Sequence, residues 1–533
     1  MIQQSTILDS NFKLFMKYVY IFILFIISVF TLHAQTYSEN IASIIYTHCS
    51  TCHRPGEIAP FSLTNYQEVK DRASSIKYAT EIRYMPPWKP DPNYRNFQHE
   101  NYLSDSEIKS IGDWVDAGMP QGDVSKEPAF PNFPVGSQIG TPDLVVSFAQ
   151  KYTHKGNGYD EYRYFVLPTN LTEDKELVAL EMRPGNRQAV HHTLFWADNT
   201  GKARAEDAKS PEYGYASGSG NLSFGDQLPG YVPGQKPNLY NNGMSQKIPK
   251  GSDLVLQMHF APSTIDQDDS TSVNLFFAKQ PTSRTVYSKI LLPYDLVNGP
   301  FIIPANTVKQ FHAVYKTPVD VSLLGIWPHC HMLGKDWEVY AKLPNGNQIP
   351  LIKIGDWDFN WQGGYYFQKL IVLPTGTEIH AFATYDNTVD NPVNPNSPPK
   401  SITWGESTKD EMFYLPLSFV LYQPGDEDIL LGNEDFSGQG PNNKNIKTEL
   451  NPVFPNPSTD EINIPFVLNS DQQIQINFVN LMGQTLMSLV EKRNYMQGQH
   501  VLSIKTPNVE SGVYIIELKT KQGSWCQKLF LHK

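Results

Sequence analysis

The sequence predicts a mainly β chain with one small α-helical domain near its start. Its 533 residues include 40 prolines and 35 glycines and are only 18% charged, a composition that favours short strands and loops over long helices. From about residue 141 to 432, β-prone runs recur between turn residues: Leu144-Val145-Val146, Leu254-Val255-Leu256, Val273-Asn274-Leu275-Phe276 and Gln368-Lys369-Leu370-Ile371-Val372. That spacing suits sandwiches or barrels rather than βαβ units. Helical spacing shows instead at Ile108, Ile111 and Val115, with Trp114 beside them. A Ser104/Glu107 capping box precedes this helix and Gly118 suits its C-terminal cap.

Hydrophobic residues at 40% and aromatics at 12% are enough for packed cores. At about 150 residues per domain the length implies three or four domains. A net charge of -11 with no basic block argues against nucleic acid as a partner. Lys17 precedes the apolar run Tyr18 to Leu32, and His33-Ala34-Gln35 offers a cleavage site, so residues 1–35 read as a signal peptide. The run is shorter than the roughly 20 residues needed to span a bilayer, and no later segment could span one.

Of the 4 cysteines, Cys49 and Cys52 share the motif Cys49-Ser50-Thr51-Cys52-His53. C-x-x-C-H is the attachment motif of c-type haem: two thiols form thioethers and the histidine is placed as proximal iron ligand. Residues 36–126 thus resemble a small cytochrome c domain carrying one covalently bound haem c. For the sixth ligand the choice is Met85, in Arg83-Tyr84-Met85-Pro86-Pro87-Trp88, with Met119 as the other option. A Pro- and Gly-rich linker, Gly122 to Pro142, follows.

In the β-rich region, Val190-His191-His192-Thr193 holds adjacent histidines and Leu256-Gln257-Met258-His259-Phe260 ends a strand with a third. Pro328-His329-Cys330-His331-Met332 spaces two at i and i+2, and Asp410-Glu411-Met412 places a thioether before an apolar strand. Residues two apart on a strand share a face, so His329 and His331 can reach one ion while Cys330 points away. Adjacent His191 and His192 point to opposite faces of a regular strand, so joint ligation needs a bulge or a strand end. Imidazole suits copper and zinc, and a thioether selects Cu(I), with zinc as the competing metal.

These clusters, in this order, resemble the copper type II, ascorbate-dependent monooxygenases, the peptidylglycine α-hydroxylating and dopamine β-monooxygenases. The segments Ala383-Thr384-Tyr385-Asp386-Asn387-Thr388 and Trp404-Gly405-Glu406-Ser407-Thr408 add to the resemblance. It implies two antiparallel β-sandwich subdomains, 141–290 and 291–432, facing each other across a solvent-filled cleft, with the boundary near Leu291 to Phe301. It implies two copper ions, one held by His191, His192 and His259, the other by His329, His331 and Met412. The latter three would be the catalytic residues, since dioxygen binds and the substrate C–H bond breaks at the methionine-ligated copper. An electron donor, ascorbate or a redox protein, supplies the electrons, and the tethered haem could deliver them at high effective concentration. The substrate is expected to be a small molecule or peptide-like. The family's arginine grip on a substrate carboxylate is replaced by Trp327, and polar residues after the methionine by Tyr414 and Pro416, so an apolar or aromatic substrate is expected. The alternative reading is a haem- and copper-binding electron-transfer or copper-holding protein without oxygenase activity.

Residues 433–450 read as a polar linker. Beyond it, Phe454-Pro455-Asn456-Pro457, Val479-Asn480-Leu481-Met482-Gly483-Gln484 and Ser511-Gly512-Val513-Tyr514-Ile515-Ile516 open strand-rich stretches. Residues 451–533 resemble the type A C-terminal sorting domain of type IX secretion. That implies a C-terminal β-sandwich, the type IX secretion machinery as partner, and a secreted or cell-surface protein.

Overall fold

The structure, a computed structural model, describes residues 35–133, 136–216, 224–237, 239–240, 243–432, 448–450, 453, 456, 458, 461–470, 472–495 and 498–531. The signal-peptide stretch and most of the 433–450 linker lie outside the described residues. Two compact units divide the chain. One holds residues up to Pro55, Ala59–Pro87 and Asn101–Pro131; the other holds Gly56–Ile58, Trp88–Glu100 and Asn132–Lys533. No helix of the described residues is long and apolar enough to cross a membrane.

The first unit is helical: α1 (Ala42–His48), α2 (Tyr66–Asp71), α3 (Ala73–Glu81) and α4 (Asp105–Asp116). Its core is built from Tyr37, Ile45, Leu63, Val69, Ile76, Ile111 and Trp114. The capping box on Ser104 and Glu107 starts α4 as expected. Gly118, at φ +85, takes the left-handed conformation that lets the chain leave the helix.

The second unit is mainly β, with a short α-helix at Lys202–Asp207. Its first sandwich runs through β1 (Leu144–Ser147), β2 (Tyr152–His154), β3 (Glu161–Pro168), β4 (Lys175–Arg183), β5 (Val190–Asp198), β6 (Tyr215–Ala216), β7 (Asp226–Tyr231), β8 (Met244–Ile248), β9 (Asp253–Phe260), β10 (Gln267–Asp269), β11 (Ser272–Phe277) and β12 (Arg284–Thr285). Sheet β1-β11-β4-β8-β12 packs on sheet β6-β3-β9-β5-β7 around Phe165, Phe195, Leu256, Phe260 and Leu275. Strand β9 is buried on both faces. Leu254, Leu256, Met258 and Phe260 enter the sandwich core, so Val255, Gln257 and His259 take the opposite face.

The second sandwich comprises β13 (Tyr287–Leu291), β14 (Ile302–Ile303), β15 (Val308–Lys316), β16 (Val321–Ile326), β17 (Gly334–Lys342), β18 (Gln348–Ile354), β19 (Tyr365–Leu373), β20 (Glu378–Asp386), β21 (Ile402–Thr403) and β22 (Leu415–Leu421). Its main sheets are β13-β22-β16-β19 and β15-β20-β17-β18. Because β13 pairs with β22 and β12 with β8, the handover between sandwiches falls at Val286, a few residues before the Leu291 to Phe301 stretch where it was expected. Residues 88–100, read from sequence as part of the helical domain, belong here too. Phe97 is bridged to Phe367 and buried in the second core, and Trp88 meets Tyr365 edge-on at 5.5 Å.

The resemblance implied a solvent-filled cleft between the sandwiches. Here a pocket open to solvent is lined by residues of both sandwiches, and beside it the two share a core. Tyr240, Met244 and Val286 form a small shared core with Leu324, Leu370, Val420 and Leu431. Beside it the Arg284 guanidinium donates to both carboxylate oxygens of Asp426, at 2.6 and 2.7 Å, and Ser322 adds a third bond at 2.6 Å. Both charges are buried, so Arg284→Ala would strand the Asp426 carboxylate. The expected loss is about 3–5 kcal/mol of stability, read as a lower unfolding temperature; an unchanged transition would show that the pair does not hold the sandwiches together.

The last strands, from Glu449–Leu450 to Gly523–Leu531, form a third sandwich around Ile464, Phe466, Ile476, Phe478 and Leu529.

Candidate metal centre

Strands β5 and β9 bring three imidazoles to one point. Val190 pairs with Phe260 and His192 with His259, so the register shifts and His191 is the extra residue of a β-bulge. This is the irregularity that adjacent histidines need, since a bulge re-aims one side chain. The three Nδ1 atoms form a near-equilateral triangle: 3.2 Å between His191 and His192, 3.1 Å between His191 and His259, and 3.3 Å between His259 and His192. An ion at about 2.0 Å from each nitrogen fits such a triangle. Among the described residues, this trio is the group of histidine, cysteine and carboxylate ligands close enough to hold a metal.

Neighbouring groups fix the other ring nitrogens. Asp160 Oδ2 lies 3.3 Å from His259 Nε2, and the Asn360 backbone accepts from His191. Such partners hold a ligand ring and its tautomer in place. Tyr162 lies flat against His259, with ring centroids 4.1 Å apart.

The second group is carried by the second sandwich. His329 N–H donates to Tyr414 O at 2.9 Å and Tyr414 N–H returns the bond to His329 at 3.2 Å. The pairing stops there, since the N–H groups of His331 and Met412 both go to the Glu411 carboxylate. His329, His331 and Met412 all line one pocket. His331 Nδ1–H donates to Asp410 O at 3.2 Å, which leaves Nε2 as its ligand atom.

Sequence reasoning passed over Glu411. Its buried carboxylate accepts from the backbone N–H of His331 at 2.8 Å, Leu333 at 2.6 Å and Met412 at 3.1 Å. It therefore ties the turn after His331 to the strand that carries Met412. Burial pushes its carboxyl up to about 8, against the downward pull of these N–H groups and that of Gly334. The signal available in sequence was an acid directly before a candidate ligand, which looks like any surface carboxylate.

The two groups are close. The His192 and His329 rings are 5.9 Å apart at 75°, and Phe359 packs against His191 at 5.7 Å, His331 at 5.9 Å and His259 at 6.0 Å. All five imidazoles are held neutral. Burial, then the neighbouring His259, lowers His191 to about 3, and burial lowers His331 to about 4. His192 and His329 are well below the ordinary range for the same reason, and burial outweighs Asp160 at His259.

Neutral imidazole is the form that ligates metal. It also makes the metal-free fold acid-labile. The unfolded chain takes up these protons near pH 6.5 and the folded chain only at lower pH, about 3 at His191 and about 4 at His331. The stabilisation is therefore complete above pH 6.5 and lost as pH falls through that window, by on the order of 1.4 kcal/mol per pH unit for each imidazole. The urea midpoint of the metal-free β unit is expected to drop between pH 7 and pH 5; a flat or rising midpoint would mean that the folded imidazoles are already charged.

In the helical unit, Cys49 N–H and His53 N–H continue the helical bonding of α1, to Ile45 O and Cys49 O, both at 2.9 Å. Cys49 and Cys52 therefore lie one turn apart on one side. His53 Nδ1–H donates to Phe61 O at 3.1 Å and its ring packs on Phe61 at 4.7 Å, leaving Nε2 for an iron. Met119 packs on the helical core, whereas Met85 is partly buried on the loop after α3, its N–H bonded to Ala79 O at 3.1 Å. Of the two, Met85 has its side chain uncommitted to that core. Cys330 is buried and accepts from Trp337 Nε1 at 3.2 Å, and none of the four cysteines is in a disulfide.

No curated protein matches the chain. Among solved structures, the β-glucuronidase of Faecalibacterium prausnitzii is similar at 12% identity and a TM-score of 0.13, covering 48% of each chain. A putative β-galactosidase from Bacteroides fragilis aligns at 12% identity and a TM-score of 0.12, over 43% of this chain and 33% of that one. The VP2 subviral particle of infectious bursal disease virus aligns at 9% and 0.16, over 54% and 74%. The chain thus spans about half, 48%, of the first of these relatives. Overlaps so slight assign neither fold nor activity. Residues 452–532 match the secretion system C-terminal sorting domain, as the tail motifs led one to expect, and so the protein carries a type IX secretion address and is secreted or displayed at the cell surface.

Proposed function

We propose that this protein is a secreted copper-dependent monooxygenase that hydroxylates a substrate C–H bond with dioxygen, its electrons arriving through a tethered c-type haem. One observation carries the reading: a triangle of three imidazole Nδ1 atoms stands 5.9 Å, ring to ring, from a second histidine pair that shares its pocket wall with Met412. Bound copper would supply the one-electron chemistry of dioxygen at the sulfur-containing site.

His191, His192 and His259 hold the first copper, with Asp160 keeping the proton on the far nitrogen of His259. His329, His331 and Met412 hold the second, with Asp410 O keeping the proton on His331 Nδ1. Glu411 orients the backbone on both sides of that site, and Phe359 packs against imidazoles of both groups. Cys49, Cys52 and His53 hold the haem, with Met85 as its axial partner.

The test uses the full chain loaded with copper and haem. Metal analysis should find two coppers and one haem iron. With the haem reduced under exclusion of air, admission of dioxygen should reoxidise it in the copper-loaded protein and not in the copper-free one. A haem that stays reduced in both would sink the proposal.

A further inference from the structure

The two candidate metal groups are close enough to feel each other's charge. The His192 and His329 rings stand 5.9 Å apart. Phe359 packs on His191 and His259 of one group and on His331 of the other. Ions about 2.0 Å off those two rings would lie within about 12 Å of each other, whichever way each ring is turned. The setting is sheltered: His192, His259, His331 and Met412 are buried, and His191 and His329 are half-buried.

The six side chains are five imidazoles and one thioether. All of them meet a cation as neutral ligands, so none offsets its charge. The nearby carboxylates stand outside both groups: Asp160 Oδ2 faces the far nitrogen of His259, Glu411 accepts from backbone N–H groups, and Glu406 lines the pocket. Fixed charges of this kind change how well each ion binds by itself. They leave the repulsion between the two ions in place.

Building on the copper reading, we infer that the two groups form one coupled site. An ion held by His191, His192 and His259 weakens the binding of a second by His329, His331 and Met412, and linkage makes the effect reciprocal. At an effective dielectric of about 20, two unit charges cost each other about tenfold in affinity at about 12 Å and about a hundredfold at about 6 Å. In free energy the repulsion is fourfold larger between two divalent ions. The compartment therefore favours a pair of Cu(I) over a pair of Cu(II). Two insulated sites would show neither effect.

Anaerobic Cu(I) titration of the full chain carrying its haem, in competition with a coloured Cu(I) chelator, tests this. Three proteins are compared. One is unmutated. One combines His191→Ala with His259→Ala and keeps the Met412 group. One combines His331→Ala with Met412→Ala and keeps the three-histidine group. The overall constant for two ions in the unmutated chain should fall short of the product of the two single-group constants by about tenfold or more. A shortfall below about threefold overturns the inference, and any larger one upholds it. A second measurement needs no variant: electron paramagnetic resonance of the unmutated chain oxidised to two Cu(II). Spin–spin interaction should broaden or quench the copper lines, whereas two sharp signals of full intensity overturn the inference. The failures separate. Two Cu(I) ions bound independently leave the oxygenase reading standing without the coupling. An unmutated chain that binds Cu(I) at neither group sinks the copper reading itself.

Discussion

In a Met412→Ile variant, oxygen consumption with a reductant is expected to fall by about 100-fold or more, since outer-sphere partners alone are worth 10- to 100-fold and this change removes a direct ligand. Isoleucine keeps nearly the volume of the buried methionine, so the fold should lose less than about 1.5 kcal/mol. Nothing in the change touches His191, His192, His259 or the helical unit. Copper at the three-histidine site and the haem spectrum should therefore stay as they are. The measurement is an oxygen-electrode rate beside metal content and an absorption spectrum of the same sample. Unimpaired consumption would remove Met412 from the site and leave the copper-holding alternative the better reading.

The second large effect is expected from His259→Ala. Each side of the Nδ1 triangle is 3.1–3.3 Å, and deleting one corner leaves two nitrogens. The protein should then purify with one copper fewer, or bind it about 100-fold more weakly, and oxygen consumption should collapse with it. Haem reduction should be unaffected. The alanine also opens a space beside Tyr162 and Asp160, so added imidazole is expected to restore part of the lost copper. Full copper content in the variant without imidazole would show that the triangle does not hold the ion.

Much of the site's chemistry was legible in the sequence because it rests on short spacings. Cys49-x-x-Cys52-His53 needs one helical turn, and His329-x-His331 needs only the two-residue period of an extended strand. The capping box at Ser104 and Glu107 is equally local. The His191-His192 pair was legible only as a condition, that a bulge be present. Whether one forms depends on how β5 meets β9, whose paired residues His192 and His259 are 67 positions apart in the chain.

Other features had no local signature at all. Glu411 could be recognised as the anchor of the His331 turn only after two distant segments were paired. The 88–100 segment left the helical domain because Trp88 and Phe97 complete a core whose other residues come from beyond position 290. The joined sandwiches follow from the Arg284–Asp426 pair, residues that read as ordinary surface charges.

The sequence by itself determined which side chains can ligate, the mainly β class, and the export address at the end of the chain. Only the tertiary structure decided that five imidazoles share one compartment and that the two sandwiches share a core. The physical reason is that period and spacing tell a side chain which face of its own strand it occupies, whereas its partners are chosen by burial across the whole chain.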